Sequence, residues 1–89
     1  MYKKLTNDYR GKQDMIRYRL RELMADYQFN TGKRLTFDEL AQDTEIHRTT
    51  LSKIANHRSY NTTTDNIDKL CKFFKCNIGD LMEYCELED

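Results

Sequence analysis

Residues 36–56 read TFDELAQDTEIHRTTLSKIAN, from Thr36 to Asn56. The stretch opens on a capping box: Thr36 is placed to accept from the backbone N–H of Glu39, and the Glu39 side chain to accept from the N–H of Thr36. A helix over 37–44 then turns Leu40 and Ala41 inward. A turn at Glu45-Ile46 leads to a second helix over 48–56, whose inner face is Leu51, Ile54 and Ala55. Two helices this short, about three residues apart, are joined too tightly to lie antiparallel and must cross steeply, at roughly 90–120°. Close crossing needs a small residue at the contact, which Ala41 supplies. Leu40, Ile46, Leu51 and Ile54 fill the junction from both sides.

That junction consumes the apolar residues of the second helix. His47, Arg48, Thr49, Ser52, Lys53 and Asn56 are left facing outward. Cationic, hydroxyl and amide side chains of this kind bond base edges and phosphates. Each also has a plainer reading. Arg48 and Lys53 suit an ordinary solvated helix face, and His47 suits a helix cap. Thr49 suits either open surface or contact with a thymine methyl.

Toward the N-terminus, Ile16, Leu20, Leu23, Met24 and Tyr27 fall at helical spacing with Arg17, Arg19 and Arg21 between them, which predicts a first helix over 13–28. Gly32 stops it by taking a positive φ. Toward the C-terminus, Thr63 or Thr64 caps a fourth helix over 65–74, with Ile67, Leu70, Cys71 and Phe74 inward. Asn77 caps a fifth helix, docked by Leu81, Met82 and Tyr84. The expected fold is all-α: one compact five-helix domain over 13–85. A basic arm, 1–12, precedes it and a short acidic tail, 86–89, follows.

A chain of 89 residues suits one domain with one modest core. Net charge is zero but unevenly spread. Residues 1–34 carry nine Lys or Arg against four Asp or Glu; residues 61–89 carry three against seven. A basic front and an acidic tail steer a polyanion toward one face. Lys3, Lys4, Arg10 and Lys12 are the arm's candidate phosphate contacts. No stretch approaches the ~20 apolar residues of a membrane span, and no apolar segment follows the basic start, so a cytoplasmic location is expected. Cys71, Cys76 and Cys85 are odd in number and spaced C-x4-C-x8-C, which reads as reduced thiols rather than disulfides or a metal site. There is no nucleophile constellation and no glycine-rich phosphate loop. The chain is read as a non-enzyme without cofactor.

The stretch resembles the phage repressor and Cro type of helix-turn-helix family, also called the XRE family. The matching residues are Leu40-Ala41-Gln42, Ile46, Arg48-Thr49-Thr50-Leu51-Ser52-Lys53-Ile54 and Asn56. Asp65 to Cys71 and Ile78 to Tyr84 resemble that family's fourth and fifth helices. The resemblance spans about residues 15–84. It implies a lambda-repressor-like domain that binds double-stranded DNA and regulates transcription, with the third helix in the major groove. It assigns base reading to His47, Arg48, Thr49 and Lys53. Phosphate contacts fall on Thr36, Phe37, Thr50, Ser52 and Asn56, and on the loop residues Arg58 and Ser59. The chain departs from the family where Glu45 stands at the turn's usual glycine. A left-handed non-glycine residue there costs roughly 1 kcal/mol.

One recognition helix reads only a few base pairs, so a homodimer is expected, at least on DNA. Its surface would come from Leu81, Met82, Tyr84, Cys85 and Leu87, or from Tyr2, Leu5 and Tyr9 in the arm. The competing reading is a protein-interaction module of the same fold, such as an antitoxin.

Overall fold

A computed structural model describes residues 15–57 and 60–85. The arm over 1–12, the tail over 86–89, and the loop residues Arg58 and Ser59 lie outside the described residues. In chain order the elements are β1 (Met15–Tyr18), α1 (Leu20–Thr31), α2 (Phe37–Thr44), α3 (Arg48–Asn56), α4 (Thr64–Phe74), α5 (Ile78–Leu81) and β2 (Met82–Cys85). The five helices are those expected.

The two strands are not. The segment read as the start of the first helix is β1, which pairs antiparallel with β2. In this register Met15 faces Cys85, Ile16 faces Tyr84, Arg17 faces Glu83 and Tyr18 faces Met82. Met82 and Tyr84 therefore belong to a strand, not to the fifth helix, which ends at Leu81. The cause is long-range. Arg17 donates to the Glu83 carboxylate directly across the ribbon and also to Glu22 on α1. The Arg19 N–H bonds the Leu81 carbonyl at 2.6 Å, which fastens the strand–helix junction to the end of α5. The Arg17 guanidinium is held above its ordinary pKa, first by its hydrogen bond to Glu83 and then by the charge of Glu22. Glu83 is correspondingly held below the usual carboxylate value, chiefly by that same bond.

The core joins every helix. Leu20, Leu40, Leu51, Ile54, Leu70 and Leu81 are fully buried, with Leu35, Ile46 and Ile67 close behind. Tyr27, Phe73 and Phe74 add an aromatic group at its edge; Phe73 stacks on Tyr27 at 5.4 Å and meets Phe74 edge-on at 4.9 Å. Such pairs stabilise beyond their burial by about 0.5–1.5 kcal/mol. α1 ends in Gly32 at φ 72°, whose N–H bonds the Gln28 carbonyl. The Gln28 side chain then accepts from the Leu35 N–H at 2.8 Å, which shapes the path into α2 and lets Leu35 enter the core.

Candidate nucleic-acid interface

α2 and α3 begin and end where the sequence places them. The capping box at Thr36 is made in both directions, each bond 3.1 Å long. The turn between the helices rests on two devices. Glu45 sits in the left-handed region at φ 60°, and its N–H bonds the Ala41 carbonyl. Thr44 is buried, which needs a full set of partners for its hydroxyl. That hydroxyl donates to the Leu40 carbonyl at 2.6 Å and accepts from the Ile46 N–H at 3.3 Å. Ile46 is thereby delivered into the core directly after α2.

α3 divides into two faces. Leu51 and Ile54 are buried at 0% and 1% exposure. Arg48, Thr49, Lys53 and Asn56 are exposed, and Thr50 and Ser52 lie half-buried beside them. His47 precedes the helix and is exposed; its side chain makes no cap hydrogen bond. Thr36 and Phe37 stand half-buried at the start of α2. The fold thus brings Arg48, Thr49, Thr50, Ser52, Lys53 and Asn56 onto one short helix, with His47 at its N-cap.

Several of these residues have partners that the sequence reading did not identify. Arg48 is the first residue of α3, and its Nε lies 2.8 Å from the Asp38 carboxylate on α2. Asn56 accepts from both Nε and Nη2 of Arg21 and donates to Ser52 Oγ at 3.2 Å. The Arg21 guanidinium also lies over the Phe37 ring at 5.9 Å. Lys53 Nζ stands 5.9 Å from the centre of the Tyr60 ring. The Tyr60 carbonyl in turn accepts from the Tyr18 hydroxyl at 2.6 Å, tying the loop after α3 to the ribbon. Arg21 is therefore a cation at the C-terminal end of α3 that sequence reasoning missed. Its place on the polar side of α1 was visible, but no local pattern says which neighbouring helix end it meets.

Elsewhere, Cys71 and Cys76 meet at the end of α4. The Cys76 N–H bonds the Cys71 carbonyl at 3.1 Å, a six-residue helix closure that brings the two side chains together. Burial first, and the neighbouring Cys71 second, push the Cys76 thiol up to about 11. Among the described residues, no cluster of three or more His, Cys, Asp or Glu side chains is arranged to hold a metal. No helix among them is long and apolar enough to cross a membrane.

A tight two-helix unit with its second helix buried on one face and polar on the other defines a helical domain of the helix-turn-helix class. The chain belongs to the family of Cro/C1-type helix-turn-helix DNA-binding domains, whose model matches residues 19–86. No curated protein matches the chain. Among solved structures, it is similar to the crystal structure of the transcriptional regulator VanUg, with a TM-score of 0.63 and 19% identity. The likeness covers 92% of this chain and 99% of that one. At this identity it establishes the shared fold.

Proposed function

We propose that the chain is a sequence-specific regulator of transcription that reads duplex DNA by placing α3 in the major groove. The observation that carries this reading is the division of α3. Its apolar side is spent on the core, and the outer side offers Arg48, Thr49 and Lys53 to solvent. In this reading His47, Arg48, Thr49 and Lys53 face base edges. Thr36, Phe37, Thr50, Ser52 and Asn56 flank the phosphates, joined by Arg58 and Ser59 from the following loop and by Arg21 from α1. The description of VanUg as a transcriptional regulator agrees with the reading. A repressor or autoregulator acting as a homodimer fits a domain of this size, with two half-sites about 34 Å apart.

The test is selection of bound sites from random duplex DNA, followed by the same selection with Arg48→Ala and Lys53→Ala. The expected result is an inverted repeat whose half-site loses preference at one base position in each variant, by about 1–3 kcal/mol for a bidentate contact. Unchanged site preference in both variants refutes the assignment. The second reading, a protein-interaction module, is favoured by one feature. Asp38, Glu39 and Glu45 line one surface hollow in which, among the described residues, Arg48 is the one Lys or Arg. A basic protein surface suits that face better than phosphate does. Selection that enriches no duplex sequence would favour this second reading.

A further inference from the structure

We infer that Asp38 is a positioning residue for base recognition: it fixes the Arg48 guanidinium through Nε and leaves the terminal nitrogens for a guanine. The inference deepens the DNA-reading proposal above and rests on it. The pair joins the second residue of α2 to the first residue of α3, with Nε and Oδ1 2.8 Å apart. Their backbones are held in fixed relation by Leu40, Ile46 and Leu51, all buried between the same two helices. Both side chains are mostly exposed, at 67% and 75%. An exposed ion pair of this kind adds little to folding stability. Its consequence is geometric.

A guanidinium carries five N–H donors in a rigid planar fork. With Nε occupied by a carboxylate, the fork can no longer turn its Nε edge toward DNA. Nη1 and Nη2 remain, and their parallel N–H bonds are the arrangement that pairs with O6 and N7 of guanine. Holding the fork in advance also spares the complex the cost of ordering a long side chain. A second effect follows from charge. Asp38 shares a surface hollow with Glu39, Glu45, His47 and Arg48. Its carboxylate opposes phosphate in every complex, whereas the braced fork is repaid only where a guanine is present. Asp38 should therefore weaken binding to random sequence and sharpen discrimination at one base.

The test is a double-mutant cycle on the full chain. The probes are the duplex selected from random DNA, the same duplex changed at the base whose preference Arg48→Ala abolishes, and a scrambled duplex. Asp38→Ala should lower discrimination at that base roughly 3–10-fold, a fraction of what a bidentate contact supplies. It should also tighten binding to the scrambled duplex. In the Arg48→Ala background, Asp38→Ala should leave discrimination unchanged while still tightening scrambled binding, because the charge effect does not pass through Arg48. Asp38→Glu, which keeps an acceptor within reach, should restore part of the discrimination that Asp38→Ala loses. Thermal melting should show all variants folded. Unchanged discrimination in Asp38→Ala overturns the inference, as does a loss of the same size at bases whose preference Arg48→Ala spares. If no duplex is enriched, the DNA reading falls and this inference with it. If a site is enriched but Arg48→Ala spares its preference, the inference alone falls.

Discussion

Glu45 carries two costs at once, and they can be separated. It is a non-glycine residue at φ 60°, ψ 30°, at the turn between α2 and α3. A side chain there costs about 1–2 kcal/mol relative to the right-handed region. Glycine removes that strain but gives the unfolded chain more freedom, worth about 0.4–1 kcal/mol. The expected net gain for Glu45→Gly is therefore about 0.8 kcal/mol, within a range of about 0–1.6 kcal/mol. For a domain of this size that raises Tm by about 2–8 °C. Glu45→Gln keeps the strain and should leave Tm within about 2 °C. Glu45 also lies in the same hollow as His47 and Arg48. A unit charge about 10 Å from a phosphate in water is worth ~0.4 kcal/mol, or about twofold in affinity. Both Glu45 variants should tighten duplex binding to that extent at low salt, with the gain fading at high salt. Lys75 provides the control. It is also left-handed, at φ 55°, but ends α4. Lys75→Gly should share the stability gain without tightening DNA binding. The assays are thermal melting and fluorescence anisotropy across a salt series. A Glu45→Gly variant that melts no higher than Glu45→Gln refutes the strain argument. Unchanged affinity in both refutes the placement of Glu45 beside DNA.

Three further outcomes follow from the described geometry. Leu51 is fully buried on α3, so Leu51→Ala should lower unfolding free energy by about 2–5 kcal/mol, read as a shift of the urea midpoint. Glu83 is held below its ordinary value of 4.5, so the Arg17–Glu83 pair stabilises the fold above that pH and loses its effect as pH falls through the lowered value. Glu83→Gln should accordingly flatten the acid limb of a Tm–pH profile and lower the neutral and alkaline range evenly, without changing its slope. With its thiol pushed up to about 11, Cys76 should alkylate with iodoacetamide at pH 7.5 about tenfold or more slower than in the urea-unfolded chain, read by peptide mass mapping. Equal rates in both states would remove burial as the cause.

The helix-turn-helix unit was legible because its rules are local. A capping box needs residues three apart, and both of its bonds formed. The apolar positions Leu40, Leu51 and Ile54 each buried as their spacing required. The ribbon was not legible because its partners stand at opposite ends of the described chain. Ile16 and Leu20 share helical spacing, and nothing near Ile16 announces Tyr84 as its neighbour. The same limit applies at the interface. The exposed row on α3 could be read from periodicity, whereas the side chains that hold its members could not. Asp38 on Arg48 and Arg21 on Asn56 join different helices, and only the packed core sets which helix ends meet.

Arg17, Arg19 and Arg21 near the N-terminus are met differently within the fold, and this gives a last prediction. Arg17 is engaged by Glu83 and Glu22, and Arg19 lies 3.6 Å from Glu83. Their charges are substantially met within the fold. Arg21, four residues along from Arg17, is held by the neutral side chain of Asn56 and keeps its full charge beside the end of α3. A cation bonded to an amide can neutralise a phosphate and release its counterion; one committed to two carboxylates adds little. Arg21→Ala should therefore reduce the log–log salt slope of duplex binding by about 0.9, the value for one phosphate contact. Arg17→Ala should leave the slope nearly unchanged and instead lower Tm, because it frees Glu83 and Glu22 at the ribbon. The decisive comparison is of slopes, not affinities, since loss of folding also weakens binding but does not remove a counterion. If Arg17→Ala flattens the slope as much as Arg21→Ala does, the ribbon face touches DNA and the interface extends beyond α3 to β1.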